Sequence, residues 1–539
     1  MTLLVDIFGY VAILLQGVAL TAATLAVGGA AFRWGPGAPA DAGVRTRMAR
    51  LLAAAGVVLA AAMLLSTLLK AAVVAGTLEV PLASVLDAPF AIAGLIAAAG
   101  AAAIAFAARR GGAAGPALEA AGAVAAVVGL TLVSHAVARL DGRVLLAAAT
   151  AGHLLAAALW VGGIPYFLIA LAGTPDRATL HRIGTAFSRL AAAAVALLAV
   201  SGAYMAVRYL GAWDAVYGTA YGIMVATKAL LLVALLGCGL HNALVVRRLA
   251  RDPGAPVLRL RRICEVEFGL ALAVLFAAAS LTSVPPGIDL EHDRLSWGEL
   301  TQRLAPGWPR MTSPDHDELA ISRLQAERDA AQPGSAAAVY VPGQAAPAPR
   351  NASDIAWSEY NHHWAGAIVL AIGVVAFLAR TGVGWAKHWP LLFLVLALFL
   401  GFRSDPESWP LGRIGFWEGF RNPEVAQHRF FTLVIIGFAL FEWRVQTGRS
   451  RSPRAAWFFP LATAVAGTLL LAHSHAIANF KDLLVVEISH VPIALLGLAA
   501  GWARWLELRL PGTEGRRAGL IWPLALAATG VTLLLYREA

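Results

Sequence analysis

Fourteen stretches of this 539-residue chain are apolar for long enough to cross a lipid bilayer. A crossing takes about 20 residues, and inside hydrocarbon each backbone N–H and C=O must be bonded within its own segment, so such runs fold as helices. The expected fold class is therefore all-α, a polytopic transmembrane helix bundle. With 59% hydrophobic and only 14% charged residues, a soluble enzyme on a tail anchor is excluded. Eight spans are expected at about 3–32, 49–69, 88–108, 117–138, 144–172, 183–208, 220–246 and 263–283. Six more follow at 364–380, 388–402, 425–443, 456–474, 483–503 and 518–536. The first stretch has almost no positive lead and outruns a signal peptide, so it reads as a retained span.

Arginine sets the orientation. Arg33, Arg45, Arg47 and Arg50 follow span one; Arg109 and Arg110 follow span three; Arg177, Arg182 and Arg189 flank the next inner connection; six more lie between Arg247 and Arg262. The alternate connections hold only Lys70, Arg139, Arg143 and Arg208. The positive-inside rule then puts the N-terminus outside, and the same alternation in the second half brings the C-terminus outside as well. The net charge of +10 is thus topological information, scattered between apolar runs, and no nucleic-acid partner is expected. Three segments follow: an eight-span membrane domain at 1–287, a periplasmic linker at 288–355 with a short helix over Ser313 to Gln332, and a six-span His-rich domain at 356–539. A Trp- and Pro-rich connection from Arg403 to Glu424 is suited to a re-entrant or interfacial hairpin.

Of thirteen histidines, eight map to the outer half of the spans: His135, His153, His362, His363, His428, His473, His475 and His490. His241 and His388 lie inward. A histidine within a span faces a partner, a metal or a cofactor, and this outward bias, which played no part in setting the topology, points to a bound species near the outer face. Imidazole suits copper, zinc, haem or protons. His135 and His153 flank one short connection and are expected to approach each other, with the thioethers of Met63, Met205 and Met224 as soft donors nearby. Lys228, two turns into span seven, requires a partner, with Asp6, Asp87 and Asp214 as candidates. Cys238 and His241 share a helical face near Cys264 and Glu265, a possible inner exit site.

The first half contains Ser134-His135-Ala136, His153 followed by Trp160 and Gly162-Gly163, Phe187-Ser188-Arg189, Ser201-Gly202, Tyr221-Gly222 before Lys228, Gly239-Leu-His-Asn242, and a closing Pro285-Pro286-Gly287. In this order they resemble the copper resistance D (CopD/PcoD-type) proteins over about residues 1–287. The resemblance implies an eight-span bacterial inner-membrane protein that handles copper from the periplasm, with a periplasmic copper-binding protein as a possible partner.

In the second half His428, His473, His475 and His490 are expected to converge as a second metal site, with Glu487 as ligand or orienting group and His362 and His363 as weaker candidates. The functional expectation is copper uptake through His- and Met-lined sites. Two alternatives stay open: a b-type haem electron-transfer protein, and a membrane copper chaperone without transport. No nucleophile motif, phosphate loop or catalytic carboxylate pair stands out, so hydrolytic activity is not expected.

Overall fold

The computed structural model describes residues 2–35, 38–39, 41–139, 141–252, 254–320, 330–331, 351–450, 452–472 and 481–538. It is all-helical, with no β-strand among the described residues beyond one isolated bridge between Ser408 and Ile414. Among the described residues fourteen helices are long and apolar enough to span a membrane, eight from Phe8–Trp34 to Val257–Asp289 and six from Ala352–Arg380 to Gly512–Leu534, as the hydropathy pattern requires. The chain divides into two compact units, one formed mainly by Leu3–Leu295 and the other by Ser296–Leu470 with Asp482–Ala539. Of the linker helix expected over 313–332, residues 321–329 and 332 lie outside the described residues; the described part has a 3₁₀ turn at His316–Glu318 and a helical residue at Ala330.

In the first unit small residues let the helices approach closely. A Cβ on Gly28 in the first span (Phe8–Trp34) would strike the Ala158 carbonyl, and one on Gly162 in the fifth (Arg143–Gly173) would strike the Thr24 carbonyl. Backbone therefore meets backbone here, the packing mode that apolar solvent rewards. The fifth span is not a regular α-helix: Ala158–Gly162 forms a π-turn between α-helices Arg143–Ala157 and Gly163–Gly173. Such bulges re-aim side chains and concentrate at functional sites. The sixth span (Arg177–Leu210) starts at Asp176, whose carboxyl accepts from the Thr179 amide at 2.8 Å, and these bonds hold it below the usual carboxylate range.

Three ion pairs lace the loops at the end of this unit that carries His135. Arg139 meets Asp289 at 2.9 Å, Arg208 meets Asp141 at 2.9 Å, and Arg294 meets Asp214 at 2.8 Å. Most of these side chains are exposed, so each pair contributes under about 1 kcal/mol; their effect is to fix loop positions. They engage two of the four basic residues on this side of the arginine alternation, Arg139 and Arg208. At the opposite end Glu119, 1% exposed, accepts from Arg33 and from Trp34 at 2.7 Å.

The second unit is built around Trp389, Phe459 and Trp522, whose ring centroids lie 5.2–5.4 Å apart. Glu507 is an ionic hub accepting from Arg380, Arg504 at 2.6 Å and Trp522 at 2.7 Å. In the connection after Arg403, Trp409, Phe416, Trp417 and Phe420 pack edge to edge, and the Arg429 guanidinium lies over Phe416 and Phe420.

Candidate functional site

His153 occupies the third turn of the fifth span, against Gly202 of the sixth. A Cβ at Gly202 would lie 3.1 Å from the imidazole Cε1, so the glycine makes room for the ring. The proton positions follow from the partners. Ser201 Oγ donates its one proton to the Leu197 carbonyl at 2.6 Å, so its 3.2 Å contact with His153 Nδ1 is a bond that the histidine donates. In the neutral ring this leaves Nε2 with the lone pair, the arrangement in which a histidine binds a metal. The Ser201-Gly202 dipeptide and His153, noted separately in the sequence, thus form one unit of ring, anchor and clearance.

Lys228 lies in the seventh span (Ala220–Arg248). Among the described residues none of its three expected carboxylates pairs with it: Asp214 is taken by Arg294, the Asp6 side chain lies outside those described, and no ion pair joins Asp87 to Lys228. His135 lies just across the loop on the short helix His135–Ala138, with Nε2 buried and without a hydrogen-bond partner among the described residues. No hydrogen bond or ring contact joins it to His153. Met205 Sδ accepts from Thr150 at 3.4 Å, one turn from His153 on the fifth span. Met63 and Met224 are buried, at 3% and 1% exposure, and Met63 packs in the apolar cluster with Leu59, Ala97 and Leu130.

Deeper in the unit is a polar centre that the sequence reading passed over. Glu267 of the eighth span (Val257–Asp289), 4% exposed, accepts from Trp160 Nε1 at 2.9 Å and from Asn242 Nδ2 at 2.7 Å. The π-turn brings Trp160 to this point, and Gly239 leaves space beside it, since a Cβ there would lie 3.4 Å from Glu267 Oε1. Cys238 precedes Gly239 on the seventh span and Cys264 precedes Glu267 by three residues on the eighth, and neither forms a disulfide. Asn242 Oδ1 is buried with no hydrogen-bond partner among the described residues. Glu265 is drawn outward by Arg261 and Arg262. A glutamate in the eighth apolar run was the available signal, because an ionisable residue within a span marks function or a dedicated partner.

In the second unit the histidines take up separate settings. His428 Nδ1 bonds Asp405 at 2.7 Å, and His473 and His475 lie outside the described residues. His363, 1% exposed, is a structural tie: its Nδ1 accepts from the Arg310 amide at 2.6 Å and its Nε2 donates to the Tyr536 carbonyl at 3.0 Å. His490 lies against His362 and Tyr536, with ring centroids 6.0 Å from each. Glu487 is buried one turn before it. Among the described residues no group of three or more His, Cys, Asp or Glu stands in metal-binding geometry.

Residues 181–281 match the family model described as Copper resistance protein D, a stretch that includes Ser201, Lys228, Cys238, Asn242, Cys264 and Glu267. The chain is also 30% identical over 136 residues, 25% of its length, to Copper transport protein CutJ of Bacillus subtilis (strain 168). That match spans 24% of the relative's own length. No solved structure matches the chain.

Proposed function

We propose, taking the copper resistance protein D segment at residues 181–281 as the premise, that this multi-pass membrane protein carries copper across a bacterial inner membrane from the periplasm. The observation that carries the reading is the Ser201-locked imidazole of His153, which presents a lone-pair nitrogen between spans five and six. His135 and Met205 stand near the same end and supply nitrogen and soft sulfur to an arriving ion. The path continues to the Glu267 centre, where one carboxyl and two thiols provide the next donors, with His241 a turn beyond Cys238 on the cytoplasmic side. Met63, packed in the apolar cluster, lies off this route. Both termini face the periplasm in this reading, and a periplasmic copper-binding protein delivers the ion.

The test is cellular copper accumulation with wild type and His153→Asn. Asparagine reproduces the Nδ1–H donor to Ser201 but removes Nε2, so the fold is kept and the ligand lost. Accumulation should fall to the level of cells without the protein. Undiminished accumulation would overturn this role for His153, and a Soret band in purified protein would favour haem instead.

A further inference from the structure

We infer that the first unit holds an anionic phospholipid in a groove between span two (Ala42–Leu78) and span three (Pro89–Arg110), with the lipid phosphate on Arg109 and Arg110. The groove follows from how the two helices pack. Their backbones touch at Gly56, where a Cβ would lie 2.7 Å from the Ala101 carbonyl and 3.0 Å from the Ala105 methyl. Beside that contact, Val57 and Ala60 of span two and Ala102 and Phe106 of span three line a channel of about 400 Å³. Sites for small molecules measure about 300–1,000 Å³. Val57 and Phe106 are exposed, so the channel opens on the outside of the helix bundle, where hydrocarbon surrounds it.

The charge is at one end. Arg109 and Arg110 close span three and line the mouth of the channel, and the Arg110 guanidinium is held over the Phe106 ring, 4.4 Å from its centroid. The two acids closest to this end of spans one to four are engaged elsewhere: Asp41 Oδ1 accepts from the Val44 amide at 2.7 Å, and Glu119 accepts from Arg33 and Trp34. Both arginines are exposed, and among the described residues no carboxylate pairs with either. Gly111 and Gly112 follow with φ of +64° and +88°, and a Cβ on either would meet nothing within 4 Å, so the connection leaves the mouth uncovered. Two cations above an apolar channel match a lipid with a net negative headgroup: its phosphate oxygens accept from the guanidinium N–H groups, and an acyl chain lies along the alanines. A zwitterionic lipid offers the same chain but brings its own ammonium to the arginines, and a free phosphate leaves the channel unfilled. The site does not depend on the copper pathway.

The experiment titrates delipidated full-length protein in detergent with phosphatidylglycerol, or with phosphatidylcholine of the same acyl chains, and follows the first lipid to bind by native mass spectrometry. We expect wild type to prefer phosphatidylglycerol by about tenfold or more. Arg109→Gln with Arg110→Gln should remove that preference. Ala102→Trp, which fills the channel from an exposed position and keeps both charges, should weaken phosphatidylglycerol binding by about tenfold as well. Arg247→Gln with Arg248→Gln takes the same charge from the end of span seven, where both side chains are exposed, and should leave binding unchanged. Equal affinity for the two lipids, or wild-type binding in the Arg109/Arg110 double variant or in Ala102→Trp, would overturn the site. So would an equal loss in the span-seven variant, or displacement of the lipid by an equal concentration of glycerol 3-phosphate, which has the phosphate without the chain.

Discussion

Replacing Glu267 separates packing from charge at the centre of the first unit. Glu267→Ala leaves two buried donors without an acceptor, the Trp160 indole N–H and the Asn242 amide, now bonded at 2.9 and 2.7 Å. An orphaned donor costs about 1–3 kcal/mol in a soluble protein, and interhelical bonds in membranes average nearer 0.6 kcal/mol; for two donors these bracket an expected loss of about 1–6 kcal/mol. Glu267→Gln has a different outcome. Its carbonyl takes the Trp160 proton, and its new NH2 faces Asn242, whose Oδ1 is buried and has no hydrogen-bond partner among the described residues. Turning the Asn242 amide over brings that oxygen to the new donor, so the cost should stay under about 1 kcal/mol. Thermal unfolding of both variants in detergent, followed by tryptophan fluorescence, reads the difference, and copper accumulation in cells reads the function. We expect a midpoint several degrees lower for Ala, a near wild-type midpoint for Gln, and reduced accumulation for both. An alanine variant as stable as wild type, or a glutamine variant as damaged as alanine, would refute the hydrogen-bond account.

Gly162→Ala should destabilise by about 1–3 kcal/mol, since the new methyl meets the Thr24 backbone and no rotamer change relieves it; detergent unfolding checks this, and a neutral effect would contradict the close helix approach. His363→Ala should orphan the Arg310 amide and the Tyr536 carbonyl and expose the C-terminal tail to protease, while copper per chain is unchanged. Thr312→Cys, in a chain with Cys238 and Cys264 replaced by Ala, should react with a membrane-impermeant maleimide added from the periplasmic side of intact cells. Labelling only after lysis would reverse the proposed topology.

The spans were legible because a bilayer leaves a sequence little freedom: backbone bonding forces helices, and hydrocarbon forces about 20 apolar residues apiece. Motifs in the first half were visible as residues but not as contacts. Ser201 and His153 stand 48 positions apart, and which ring nitrogen bears the proton depends on the Leu197 carbonyl, which no side-chain pattern encodes. The Trp160–Glu267 bond spans 107 positions and depends on a π-turn, for which Ala158–Gly162 carries no compositional mark. Lys228 was expected to find a carboxylate by the rule that buried charges pair, yet Asp214, one of its three candidates, pairs with Arg294. In the second half histidine spacing gave the density of rings but not their grouping. His428 found an aspartate at 2.7 Å, His363 became a tie between two backbone groups, and the weaker candidate His362 is the one that meets His490.

Copper flux into proteoliposomes tests the central claim most directly. Purified protein is reconstituted in sealed vesicles, copper(I) is supplied outside as a labile complex, and internal copper is followed with a trapped chelating dye. The account predicts time-dependent, saturable entry with wild type and entry at the protein-free rate with His153→Asn, both proteins being equally folded by circular dichroism. Flux through His153→Asn equal to wild type, or no flux through wild type that nonetheless binds copper, would contradict transport by way of this imidazole.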